Sequence, residues 1–327
     1  MASRPTIAVV IVNWNSRDDV LAGLRSLHEQ TDPDVQVVVV DNGSKDGSAG
    51  AIRAAFPDVL VVETGENLGF AEGCNRGIEA SRSDWVFLLN NDAEAEPTCV
   101  AELRRVAAAA PGDVGMLQPL LVFTTRPSHV NSSGVLLYRN GYGGDRHFME
   151  PIEAAVAAGD PFCATAGAAL YRRSMLERVR LPGGCLDREF FMYFEDVDLG
   201  WRCRLAGYRA VYVPSARVRH RFQGSSIRRG EAFVDTHCRI NRIATLIHNA
   251  SVWFILRSAI HTAYGVFAVW RDAGLGPLLG LGKRLPALIR DRRRIGRLAR
   301  VGRRELERTW CVKLATLPPL DLPDRHD

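Results

Sequence analysis

"FLLNNDAEAEP", Phe87 to Pro97, changes character in the middle. Trp85-Val86-Phe87-Leu88-Leu89 is the unbroken apolar run of a strand buried on both faces, yet Asn90, Asn91, Asp92, Glu94 and Glu96 follow at once. A loop alone accounts for such residues, because Asn and Asp make turns by bonding their own backbone. Open α/β sheets, however, bind ligands beyond the carboxyl ends of their strands, so the same residues also read as the rim of a site.

The segments before it repeat the pattern. Ile7 to Val12 is a continuous apolar strand, and Val20, Leu21, Leu24 and Leu27 then recur at helical spacing. Val37 to Val40 and Val59 to Val62 are two further buried strands, with helical segments between them. Buried Val/Ile runs separated by helices predict an α/β fold whose parallel sheet is covered on both faces. Polar clusters follow three of these strands: Asn13-Trp14-Asn15, Asp41-Asn42 and Asn90-Asn91-Asp92. Three tips on one edge form one rim, and so one site.

The rim lacks the usual phosphate loops. There is no GxxxxGK[ST], and no GxGxxG follows the first strand, which removes the standard hardware of P-loop hydrolysis and dinucleotide binding. A carboxylate at a strand tip still suits a hard cation such as Mg2+ or Mn2+, commonly held by one or two carboxylates together with substrate phosphates. The seven cysteines are scattered and never spaced CxxC, which argues against a disulfide framework or zinc knuckle and fits a reducing cytosol. No charged-then-apolar leader is evident, so secretion is not expected.

The stretches "VVIVNWNS", "VVVVDNGSKDGS", "ENLGFAEGCNRG", "FLLNNDAE" and "FFMYFEDVDLGWR" resemble family 2 glycosyltransferases, and within them the rhamnosyltransferase branch. The resemblance covers roughly the first two-thirds of the chain, with the motifs in the family's order. It implies a GT-A (Rossmann-like), mostly parallel sheet with helices on both faces over residues 1–240, with a nucleotide-sugar half to about 120 and an acceptor half after it. It also implies a nucleoside-diphosphate-sugar donor (dTDP-L-rhamnose favoured), a divalent metal and inversion at the anomeric carbon.

On the same resemblance, Asp41 reads the pyrimidine of the donor, where a carboxylate accepts the ring N3–H. Asn13, Asn67, Gly69, Asn75, Asn90 and Asn91 line the donor; Asn67 also reads as a helix cap. Asn90-Asn91-Asp92 stands where the family has its DxD motif, with Asn90 replacing the first acid, so that Asp92 carries the formal charge. His220, in "VRHRFQGSS", matches a metal-binding histidine. Asp196 matches the catalytic base, with neighbouring Glu195 as its substitute; Asp196 also reads as a helix N-cap. A GT-A-shaped binding or scaffold protein without catalysis, and a transferase using a UDP-sugar, stand as alternatives.

The chain changes after about residue 240. From Ser251 onward there are fifteen Lys and Arg against seven Asp and Glu, leaving 27 against 30 before it. A mildly acidic body thus carries a basic, helical extension, residues 241–327. Lys283 to Arg304 holds ten basic residues and one acid, interleaved with Leu285, Leu288, Ile289, Ile295 and Leu298. This pattern predicts an amphipathic helix lying on an anionic membrane surface, or alternatively a homo-oligomer contact. A peripheral position on the cytoplasmic face would suit a glycan or polyprenyl-diphosphate-linked acceptor. No DNA- or RNA-binding module is recognisable, so no nucleic-acid partner is expected. Every donor motif lies before Arg221, so removing the chain after about Arg271 is expected to leave donor binding intact.

Overall fold

A computed structural model describes residues 4–221 and 230–313. The end of "VRHRFQGSS" and the last fourteen residues of the extension lie outside the described residues.

The first part alternates as expected: β1 (Ile7–Asn13), α1 (Arg17–His28), β2 (Gln36–Asp41), α2 (Ser48–Ala55), β3 (Leu60–Glu63), α3 (Gly69–Ala80) and β4 (Trp85–Leu89). Next come β5 (Ala93–Ala95), α4 (Cys99–Ala109), β6 (Val114–Phe123), β7 (Val130–Ser132), β8 (Val135–Tyr138), β9 (Gly143–Asp145) and α5 (Ile152–Val156). The body closes with β10 (Ala168–Arg172), α6 (Arg173–Val179), α7 (Glu195–Leu205) and β11 (Arg209–His220). The rest is helical: α8 (Glu231–Asn249), α9 (Val252–Arg257), α10 (Ala259–Ala273), α11 (Gly276–Leu298) and α12 (Arg303–Trp310), ending in a short β12 (Cys311–Val312).

Eight strands of the nine-stranded main sheet run in the order β3-β2-β1-β4-β10-β6-β11-β5, with β7 on β6. β3, β2, β1 and β4 are mutually parallel; β10 then runs antiparallel to both β4 and β6. The parallel reading thus holds for β1 to β4, while the strands after them mix directions. The β1–β2 register sets Asn13 opposite Asp41, which aligns their tips. β1 and β4 are buried along almost their whole length, as their apolar runs demand. β3 is different: it is an edge strand with partly exposed residues, because a strand with one neighbour has no second partner to cover it.

The small-residue stretch Phe162 to Leu170 becomes a strand only from Ala168, and residues 162–167 run irregularly to the rim. The glycine-rich stretch from Gly141 to Gly159 contains β9 and α5. β9 pairs with β8, which ties it down.

The boundary at 240/241 falls inside α8. Leu288, Ile295 and Leu306 belong to the same buried cluster as Val10, Val40 and Trp201, so the helices after α8 complete the main core. Arg303 donates to the carbonyls of His248 and Asn249, and Glu307 accepts from both the backbone and the hydroxyl of Ser251. Removing the chain after Arg271 would therefore strip buried apolar side chains and helix-end partners from α7 and α8, and the expected harmless truncation does not fit this packing. The amphipathic pattern of α11 has the same explanation: Leu288 and Ile295 face inward, leaving Leu285 and Ile289 exposed.

Candidate active site

The three strand tips meet at one rim. Asn91 Nδ2 donates to Asn13 Oδ1 at 3.1 Å, and Asn13 Nδ2 lies 3.4 Å from Ser44 Oγ. Both asparagines are buried, so these amides bind the tips of β1, β2 and β4 together. Asp41 ends β2. Its Oδ1 accepts the backbone N–H of Ser44 at 2.9 Å, while its buried Oδ2 has no hydrogen-bond partner. An acceptor left buried and unmatched is costly in a folded chain, and a ligand N–H at this tip would satisfy it.

Asn67 and Gly69 form the neighbouring wall. Asn67 Oδ1 accepts from the Gly69 N–H at 2.9 Å, and Asn42 Nδ2 donates to the Gly69 carbonyl at 3.0 Å. Gly69 has φ +85°, and a Cβ there would stand 2.5 Å from Phe191, so only glycine fits. Asn75 lies deeper. It clamps the turn after α6, donating to Leu186 O at 2.8 Å and accepting from Leu186 N–H at 3.1 Å.

The tip of β4 meets the end of β11. His220 Nε2 lies 3.1 Å from Asp92 Oδ1 and 3.3 Å from Asn90 Nδ2, and its Nδ1 is 2.9 Å from Asn131 Oδ1 on β7. With Nδ1–H donating to Asn131, Nε2 carries either a lone pair or a second proton that Asp92 accepts. A divalent cation can take that proton's place, since ligand atoms about 3 Å apart are neighbours on a cation bonded at about 2.0–2.1 Å. The donor set, one carboxylate and one imidazole, fits Mn2+ and admits Mg2+. Among the described residues no group of three or more His, Cys, Asp or Glu side chains is arranged to hold a metal, so further ligands would come from substrate phosphates and water.

Asp196 and Glu195 open α7 but point differently. Glu195 is buried, its Oε2 has no partner, and burial together with the Asp196 charge pushes its carboxyl far above the usual range. Asp196 is partly accessible. Its Oδ1 accepts from Val197 N–H at 2.7 Å and its Oδ2 from Ala166 N–H at 3.1 Å. Burial raises the Asp196 carboxyl too, but these N–H groups and Thr165 oppose the rise. The cap expected of Asp196 is displaced by two residues: Phe194 occupies the N-cap position, and Asp196 is the second residue of the helix.

Asp145, on β9, was not singled out from the sequence. Its carboxyl is pushed up to about 6, first by burial and also by the Asp196 charge; Ser132 and His220 act in the other direction. The candidate base and the candidate cation pair flank one short segment: Ala166 donates to Asp196, and a Cβ on the next residue, Gly167, would stand 3.7 Å from Asn90 Nδ2 and 3.9 Å from His220 Cε1. Asn131 was also missed. Only the β6–β7 and β8–β9 pairings carry Asn131 and Asp145 to the rim.

A family model described as glycosyl transferase family 2 matches residues 8–180. The N-acetylglucosaminyl-diphospho-decaprenol L-rhamnosyltransferase of Mycobacterium tuberculosis is 31% identical over 276 residues, covering 76% of this chain and 86% of that protein. Among solved structures, a mannosyltransferase from Pyrobaculum calidifontis in complex with GDP-Man and Mn2+ aligns over 90% of this chain and 86% of its own, at TM-score 0.54 and 18% identity. GalNAc-T7 with UDP, GalNAc and Mn2+ aligns over 76% of this chain at TM-score 0.58 and 15% identity, and the chain spans about half of its length (48%). The two structures speak to the fold alone. On the family model and the sequence relative, the chain belongs to glycosyl transferase family 2 and is rhamnosyltransferase-like.

Proposed function

We propose that the protein transfers L-rhamnose from dTDP-L-rhamnose, with inversion, to a hydroxyl of a glycan carried on a polyprenyl diphosphate. The observation that carries this reading is the meeting of Asp92 and His220 at 3.1 Å, from positions 128 residues apart, on the rim where Asp41 presents an unmatched buried oxygen. The mycobacterial relative, named for L-rhamnosyl transfer to a lipid-linked N-acetylglucosamine, supports the choice of sugar and acceptor.

In this reading the Asp41 carboxylate accepts the N3–H of thymine. Asp92 and His220 would hold Mn2+ or Mg2+, whose charge offsets that developing on the leaving diphosphate. Asp196 takes the proton of the acceptor hydroxyl as its oxygen bonds to the anomeric carbon and the bond to the diphosphate breaks on the opposite face. Two backbone N–H groups hold that carboxylate in place, so it need not reorganise to receive the proton. The acceptor would bring the enzyme to the cytoplasmic face of a membrane as a peripheral protein.

The test combines a stability panel of nucleotide sugars, with and without Mn2+ or Mg2+, and transfer to a short-chain lipid diphosphate of N-acetylglucosamine. A ligand at a hundredfold excess over its Kd stabilises the fold by about 2.7 kcal/mol. dTDP-L-rhamnose is expected to stabilise most, and only with metal. Preference for a UDP-sugar would replace the donor; indifference to every nucleotide sugar would overturn the reading.

A further inference from the structure

Trp253, Leu256, Ile260, Tyr264, Phe267 and Trp270 are each more than half exposed, with Ile260 at 83%. Their spacing of three and four residues places them along one side of α9 and α10, which are separated only by Ser258. The opposite side is buried, through Phe254, Gly265, Ala268 and Val269. An apolar, aromatic stripe of this length is not the scattered single hydrophobe of an ordinary surface.

We propose that this stripe docks flat on an anionic phospholipid leaflet. The proposal deepens the lipid-linked acceptor reading and rests on it for its purpose. It adds α9 and α10 to the membrane contact expected of the basic helix α11, whose Leu288 and Ile295 are turned into the core while Leu285 and Ile289 stay exposed.

Three observations select a bilayer. α10 has fifteen residues, about 22 Å at 1.5 Å per residue, too short for a hydrocarbon core of about 30 Å, and none of the described helices is long and apolar enough to cross one. The stripe is rich in Trp, Tyr and Phe, which favour the water–lipid boundary, and Arg257 and Arg271 stand near its two ends. Arg304 lies over the Trp253 ring at 5.8 Å and Arg239 over the Tyr264 ring at 5.6 Å, so cationic groups border the aromatics. A second copy of the same face is a poorer partner. The α9–α10 segment has one carboxylate, Asp272, which Arg271 already engages, so self-pairing would set arginines against arginines.

The stripe also lies close to the site. Arg242 donates to Thr262 Oγ1 on α10 at 3.1 Å and, through Nε, to the Asn140 carbonyl at 2.8 Å. Asn140 is five residues before Asp145, at most about 18 Å of extended chain.

Co-sedimentation with vesicles of phosphatidylcholine and phosphatidylglycerol tests the proposal on the full-length chain, compared with an Ile260→Gln/Phe267→Gln double variant. Both side chains are exposed, so folding should be unaffected, and circular dichroism checks this. Wild type is expected to bind, with a fraction persisting at about 1 M salt, where the Debye length is about 3 Å and charge attraction is screened. The double variant should bind about tenfold more weakly at both salt levels. It should transfer sugar to a water-soluble acceptor like wild type but lose about tenfold on an acceptor embedded in vesicles. Equal sedimentation of the two proteins, or no binding by wild type, overturns the proposal. So does a wild-type dimer that the double variant dissociates without any vesicle binding. If wild type fails to transfer even to the soluble acceptor, the functional reading has failed, and vesicle partition alone decides this one.

Discussion

Asn241 Nδ2, on α8, donates to the carbonyl of Tyr193 at 2.9 Å. The same amide lies 2.8 Å from the carbonyl of Phe190 and 2.9 Å from that of Met192. The segment it holds is strained: Phe191, Tyr193 and Phe194 have φ of 60°, 67° and 70°, a region that bulky residues rarely enter and that costs on the order of 1–3 kcal/mol each. Glu195 and Asp196 follow directly. A side chain from the helical extension therefore braces the backbone that presents the candidate base.

This brace makes a prediction for Asn241→Ala. Three carbonyls would lose their shared donor, and an unmatched buried carbonyl costs about 1–3 kcal/mol. Stability in urea should fall by about 2–3 kcal/mol. If the brace positions Asp196, kcat should also drop about tenfold or more while the KM for donor stays near wild type. A variant that is less stable yet turns over normally would restrict Asn241 to a structural role.

The sequence made β1, β2 and β4 legible because a strand covered on both faces must be apolar at every position. The register then placed Asn13, Asp41 and Asn90 to Asp92 together without further information. Other parts depend on pairings between distant segments. Asp145 reaches the site through a hairpin whose strands carry glycines and little apolar pattern, and Asn241 looks like any polar position on a helix. The basic composition of the extension suggested a separable tail. Several of its arginines instead cap carbonyls: Arg303 at the end of α8, and Arg292 on Ile247. Composition cannot distinguish a charge that serves as a cap from one that faces solvent.

A second junction between body and extension is Asp198. Its carboxylate is fully buried and accepts from Arg202 Nε at 2.8 Å, from His248 Nδ1 at 2.9 Å and from Asn249 Nδ2 at 2.8 Å. Burial alone would raise its pKa, but Arg202 and His248 overcome this and hold it at about 2. A carboxyl depressed from its ordinary 3.8 contributes stability that is fully present above about pH 4 and is lost as pH falls toward 2. Asp198→Asn should therefore cost about 3–5 kcal/mol at pH 7, by leaving Arg202 without its counter-charge. The gap between the two proteins should narrow below pH 4. A gap independent of pH would mean that the cost is packing alone.

Asp92→Ala and His220→Ala test the cation pair separately from the base-binding tip. Each should abolish the metal dependence of donor binding and reduce turnover, while nucleoside binding through Asp41 persists. Asp41→Asn should do the reverse, weakening recognition of the pyrimidine because an amide accepts the ring N–H less strongly than a carboxylate. Isothermal titration with dTDP and with thymidine, with and without Mn2+, distinguishes the two. If Asp92→Ala binds and turns over with unchanged metal dependence, the metal assignment fails.

The adjacent carboxyls of Glu195 and Asp196 provide the test of the base. Glu195 is buried, and burial first and the Asp196 charge second push its carboxyl well above the usual range, whereas backbone N–H groups and Thr165 oppose the rise at Asp196. In the proposed reading the proton of the acceptor hydroxyl goes to the partly accessible Asp196, held by the Ala166 and Val197 N–H groups. A base works in its ionised form, so turnover should rise with pH as Asp196 loses its proton and then level off. Because burial raises that carboxyl, the rise should lie above the ordinary position of 3.8. Asp196→Asn should lower kcat by about two to four powers of ten, remove the acid limb of the profile and leave donor affinity close to wild type. Glu195→Gln, which keeps the shape of the side chain, should retain the limb and most of the rate. If instead the Glu195 variant loses the limb, the proton goes to Glu195; if the Asp196 variant loses donor binding and rate together, its carboxylate holds α7 rather than the proton.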